Sequence, residues 1–151
     1  MDSLRELYQD VILDHHRTPR NRREMPEASA KASGHNPLCG DRVSVFVKMD
    51  GDVLQDVSFV GTGCAISQAS ASMMTDCLKG HTREEIERVT SAFQKLVTDE
   101  DASMPEGDDL VEKLEAFAGV RDFPSRVKCA SLAWHALRVA LEQPGGTVST
   151  E

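Results

Sequence analysis

The stretch RVSVFVKMDGDVLQDVSFV, residues 42–60, decides the fold. Val43, Val45, Val47 and Met49 alternate with polar or aromatic neighbours, the period-two pattern of a strand with one buried face. Asp50-Gly51 is a type I′ hairpin signal, and Val53 to Val60 is the returning strand. Upstream, residues 28–33 predict a further short strand, and residues 35–40 a loop that carries Cys39 into the hairpin. Asp41 lies two residues after this thiol, at the mouth of the strand.

Helices flank the sheet on both sides in sequence. Leu4, Leu7, Tyr8, Val11, Ile12 and His15 recur at helical spacing and predict a helix over residues 3–17. After the sheet, glycines around Thr62 lead into a helix expected over residues 65–79, rich in Ala and Ser and stopped by Gly80. Thr82 and Glu85 form a T-x-x-E capping box that opens a helix to about Leu96. A polar acidic loop, TDEDASMPEGDD (residues 98–109), precedes a short helix over residues 110–118. Pro124 and Ser125 set up a last helix over residues 126–141. The expected architecture is α+β: a small three-stranded antiparallel sheet, an N-terminal helix and about four further helices packed on one face. Residues 1–143 form a single domain and residues 144–151 a disordered tail.

The totals narrow the function. With 151 residues and a net charge of −8, the chain does not suit general nucleic-acid or anionic-membrane binding, which need clustered Lys and Arg. Its amphipathic, charged beginning does not read as a signal peptide, and no apolar run approaches the roughly 18 residues of a membrane span. A cytoplasmic location is expected, where thiols stay reduced. The four cysteines, at 39, 64, 77 and 129, then read as metal, redox or core residues rather than two disulfides.

Cys77 shares a helix face with Ile66, Ala69, Ser70 and Met73 and reads as a small core hydrophobe. The other three sit where elements begin: Cys39 in the turn, Cys64 at a Gly-rich helix start, Cys129 in the first turn of the last helix. A helix N-terminus favours thiolate, the form that binds metal and attacks sulfur. Each of the three is either a semi-buried thiol or part of a shared site. If they converge, a tetrahedral metal needs a fourth ligand, with Asp41 the local candidate and His35 the second. Asp41 alone also reads as a turn cap. No H-x-E…P-C-x-x-C arrangement is present, which disfavours deaminase chemistry.

These residues carry a family resemblance. NPLCGD (36–41), GTGCAISQASASMM (61–74) and RVKCASLAWHAL (126–137) resemble the three cysteine motifs of the IscU/NifU N-terminal scaffold family, and LYQDVILDHHRTPRN (7–21) resembles its opening. The likeness is greatest to the SufU branch. Lys128 stands where the scaffold branch has a histidine, and FPSRVKC (123–129) lacks that branch's double proline. The long link between Cys64 and Cys129 is similar to the SufU insertion; within it, residues 82–122 hold twelve acidic and five basic side chains. They read as a solvated helical surface or a partner-docking face.

The resemblance implies one zinc per chain, held by Cys39, Asp41, Cys64 and Cys129. It implies that Cys39 accepts persulfide sulfur from a SufS-type cysteine desulfurase, whose histidine takes its place on the zinc, and that downstream iron–sulfur assembly machinery receives the product. Arg126 matches a SufU arginine beside the site, a docking or orienting residue. The alternative is a non-enzymatic scaffold holding a transient [2Fe–2S] cluster on the same ligands.

Overall fold

A computed structural model describes residues 2–37, 40–99, 101–142 and 147–149. Helix α1 (Asp2–Arg17) precedes strands β1 (Ala30–Asn36), β2 (Asp41–Asp50) and β3 (Val53–Thr62). Helices α2 (Ala65–Leu78), α3 (Arg83–Leu96), α4 (Asp109–Glu112) and α5 (Pro124–Glu142) follow, with a 3₁₀ segment, Lys113–Asp122, between the last two. Strands β1, β2 and β3 pair antiparallel in sequence order, so the α+β expectation holds. Thr147–Ser149 adds a short strand, β4, parallel to β1 at Ser33–His35. Part of the segment expected to be disordered is therefore paired, whereas residues 143–146 and 150–151 lie outside the described ones.

The alternation in β2 sorts its faces as expected: Val43, Val45 and Val47 are buried beneath the helices. The hairpin turn differs in detail. Asp50 pairs with Val53, so the two turn residues are Gly51 and Asp52. Gly51 has φ +59°, while Asp52 is not in the positive region. A positive φ at the first central residue alone is the type II′ pattern, which asks nothing unusual of the aspartate. A register shift at Lys48/Met49 marks an irregularity beside the turn. The sheet's β3 edge is covered as well, since Phe59 N–H donates to the Asn21 carbonyl at 3.0 Å.

Helix α2 is buried on nearly every side, with Ser67 to Thr75, Cys77 and Leu78 all inaccessible. Its Ala and Ser residues have little bulk, so α1, α5 and β3 can all pack on it. Buried hydroxyls then become ties. Ser70 Oγ donates to the Ala130 carbonyl at 2.6 Å and accepts from the Trp134 indole at 3.0 Å. Trp134 stacks on Phe93 with ring centroids 4.4 Å apart. On the other side His15 Nδ1 lies 2.7 Å from Ser72 Oγ, and burial holds the imidazole pKa below its ordinary value. His15 points inward, as its place on the apolar face of α1 predicts, while His16 is exposed.

The short helix expected over residues 110–118 is α-helical for only Asp109–Glu112 and then tightens. Val111, Leu114, Phe117 and Val120 are all buried and recur every three residues. That is the 3₁₀ repeat, in which i and i+3 eclipse, so the tighter coil points these four side chains at the core.

Candidate metal and thiol site

The loop expected over residues 35–40 is shorter in the structure. His35 and Asn36 belong to β1, opposite Arg42 and Asp41 respectively. Between the two strands, Gly40 N–H donates to the Asn36 carbonyl at 2.9 Å. Leu38 and Cys39 lie outside the described residues, so the position of the Cys39 thiol is not part of the geometry below. Strand alternation separates the two sequence candidates that flank this loop. Asp41 turns inward and is fully buried, whereas His35 turns to the outer face with Arg42. His35, the second ligand candidate, is therefore on the wrong side of the sheet.

Asp41, Cys64 and Cys129 converge. One carboxylate oxygen and the two sulfurs lie within 4.8 Å of one another. Asp41 Oδ1 accepts the Cys64 backbone N–H at 2.8 Å, and Oδ2 lies 3.7 Å from Cys64 Sγ. The carboxylate sits against Gly63, whose φ is +145°. A Cβ on Gly63 would come within 2.8 Å of Asp41 Cγ and closer still to Oδ1. Only the residue without a side chain leaves room for the carboxylate, and this seat gives no signal in the sequence beyond GTGC.

Cys64 is the N-cap of α2, with its sulfur accepting from Ser67 N–H at 3.5 Å. Cys129 arrives on α5. The helix begins at Pro124, two residues before the expected start, which makes Cys129 its sixth residue rather than one in the first turn. Its placement comes from packing: the Ser70–Ala130 bond ties α5 to α2 one residue beyond the thiol. Cys129 is buried and Cys64 half-buried, and neither is in a disulfide. Cys77 stays out of the site in the main core, where burial pushes its thiol pKa strongly up. Arg126 is exposed, one turn before Cys129, and forms no ion pair among the described residues.

Two thiols and a carboxylate form a donor set that suits a tetrahedral d¹⁰ metal such as zinc, with one ligand still to come. Cys39 lies two residues before Asp41 in sequence. Fold and site together define a small α+β domain that collects thiols at the end of its sheet for metal or sulfur chemistry.

The comparisons with known proteins agree. The model of the NifU-like N terminal domain matches residues 7–130, and the chain belongs to that family. It is 42% identical over 147 residues to the zinc-dependent sulfurtransferase SufU of Bacillus subtilis, covering 95% of this chain and 96% of that one. It is 38% identical over 143 residues to the iron–sulfur cluster assembly scaffold protein IscU of Streptococcus pyogenes, covering 95% and 87%. Among solved structures, the scaffold protein for the SUF system from Fervidobacterium islandicum superposes with a TM-score of 0.78 at 31% identity, covering 87% of this chain and 94% of that one. The NifU-like N-terminal domain from Brucella abortus gives 0.81 at 29%, covering 90% and 92%.

Proposed function

We propose that this chain is an iron–sulfur cluster biogenesis protein that accepts persulfide sulfur from a cysteine desulfurase at a zinc-binding thiol site. The observation that carries the reading is the convergence of Asp41, Cys64 and Cys129, with Cys39 two residues before Asp41 in sequence. Those three residues, with Cys39, would hold the metal. Bound zinc would supply a redox-inert Lewis acid that keeps thiols deprotonated and protected from oxidation.

The chain's own residues divide the remaining work. Cys39 is the nucleophile. Its thiolate attacks the outer sulfur of the partner's cysteine persulfide, forming a Cys39 persulfide as the S–S bond breaks and the partner's thiolate leaves. Asp41 is held by the Cys64 amide and by the space at Gly63, which fixes its position. Buried Cys129 stays on a rigid helix. Arg126, exposed beside the site, is placed to orient the docking enzyme. The domain takes in the sheet strand Thr147–Ser149 as well, and the protein acts in the cytoplasm; no helix among the described residues is long and apolar enough to cross a membrane.

The test is the metal content of aerobically purified protein together with stimulation of a cysteine desulfurase. About one zinc per chain and stimulation abolished in Cys39→Ala are expected. Iron with a visible charge-transfer spectrum and no stimulation would replace this reading with the [2Fe–2S] scaffold one, for which Lys128 removes a potential histidine ligand.

A further inference from the structure

Charge is distributed unevenly over this acidic chain. Residues 82–122 hold twelve of the 25 carboxylates and account for seven of the eight net negative charges. The outer face of the sheet is the opposite. Across its site end run His35, Arg42 and Thr62, directly paired on β1, β2 and β3, with Ser33, Ser44 and Val60 in the next row. Together with Arg22 these residues line a shallow, open cavity of about 480 Å³ that contains no carboxylate among the described residues.

Three features make the face more than a scatter of cations. Arg22 is held there, its guanidinium donating to the Gly61 carbonyl at 2.9 Å. Arg42 is exposed and forms no ion pair among the described residues. Farther along, Lys31 lies 5.3 Å over the Phe46 ring, while Asp56 is already matched by Arg23 and Lys79. The contrasting groove between α3 and α5, about 310 Å³, mixes Arg83 and Arg138 with Glu84, Glu87 and Glu142. The sheet face also abuts the thiol site, since Arg42 follows Asp41 and Thr62 lies two residues before Cys64.

We propose that the Arg22–His35–Arg42 face docks an acidic surface of a protein partner, steering it to the adjacent thiols. Unmatched arginines beside a functional site raise encounter rates with a negative partner and repel positive ones. The cavity is too open to enclose a small molecule, which pockets for such ligands do. Like charge on residues 82–122 keeps an acidic partner off the helical side, so the two regions together fix its approach.

The probe is a fluorescein-labelled deca-glutamate peptide, followed by anisotropy with the full chain at low ionic strength. Saturable binding is expected, weakened about tenfold or more in Arg22→Glu/Arg42→Glu and by added salt. Arg22→Gln/Arg42→Gln, the milder variant should charge reversal perturb folding, is expected to lose an intermediate amount. Arg83→Glu/Arg138→Glu, in the groove between α3 and α5, is expected to change binding less than twofold. Equal loss in both charge-reversed variants, or no saturable binding, overturns the proposal. So does displacement by 1 mM inorganic phosphate, which marks a small-oxyanion site, or preference for phosphatidylserine vesicles. Salt-sensitive self-association of the chain alone, abolished by the same arginine changes, would assign the face to a second copy instead. Zinc content is expected to be unchanged in the arginine variants, which separates this surface from the metal reading.

Discussion

Two helices in this molecule begin in the same way and are capped by opposite means. Helix α3 has Thr82 accepting from Glu85 N–H at 3.2 Å while the Glu85 carboxylate returns to Thr82 N–H at 3.0 Å, a complete reciprocal box. Acidic Glu84 and Glu85 also complement the dipole of its first turn. Helix α2 has a cysteine in the capping position, a 3.5 Å sulfur contact to Ser67 N–H, and no acidic residue in its first turn. Sulfur is a poor acceptor, so the cap is weak by the standard that Thr82 sets. The carboxylate that serves this helix start comes from another strand: Asp41 takes the Cys64 N–H. One helix start is built for stability from adjacent residues, the other for a site assembled across the sheet. Departures from local rules of this kind concentrate where function requires them.

Mutations at the two starts separate these purposes, ranked by their effect on the metal-free chain. Asp41→Ala has the largest expected effect. It removes the proposed ligand and leaves the Cys64 amide without its acceptor, at a cost of about 1–3 kcal/mol. Denaturation of chelated protein measures that loss, and metal analysis should find zinc far below one per chain. If stability is unchanged, the carboxylate is not structural at α2.

Gly63→Ala comes next, at about 1–2 kcal/mol for a side chain forced into a positive-φ position against Asp41. In the Asp41→Ala background the added cost should shrink, because the carboxylate it meets is gone. Strict additivity in that double-mutant cycle would show that backbone conformation alone explains the glycine.

Thr82→Ala should cost about 1 kcal/mol while leaving zinc content untouched. The same box has a pH signature. Hydrogen bonds from the Thr82 backbone, His81 and the Thr82 hydroxyl lower the Glu85 pKa to about 2. A folded-state pKa below the unfolded value gives stability that is present above the ordinary glutamate range and lost as pH falls toward 2. Glu85→Gln should remove that acid dependence from a denaturation series, and an unchanged slope would assign it to other carboxylates.

Cys64→Ser has the smallest expected effect on the apo fold, a gain of a few tenths of a kcal/mol as a hydroxyl caps better than a thiol. Zinc binding should nevertheless collapse. The opposite signs are the sharpest statement of the comparison, and a destabilised apo chain would undo it.

Much of this was legible locally. Alternating valines placed the hairpin, T-x-x-E gave α3, and the helical face of Cys77 gave its place in the core. The three motifs also carried the family. Misreadings arose where distant contacts decide. Periodicity could not tell an α-helix from a 3₁₀ turn over residues 113–122, although the three-residue spacing of Val111, Leu114, Phe117 and Val120 was there to see. The hairpin centre moved by one residue because of the irregularity beside it. His35 was a candidate ligand until strand pairing put it on the outer face.

Most elements, the order of the three cysteine motifs and the candidate donors were readable from the chain alone, because these follow from short-range periodicity, turn chemistry and residue type. Only the tertiary structure decided which donors meet. Asp41 and Cys129 are 88 positions apart, and their proximity rests on pleat direction in β2, the vacancy at Gly63 and the Ser70–Ala130 tie between helices. Such contacts depend on how whole faces pack, which no window of neighbouring residues encodes.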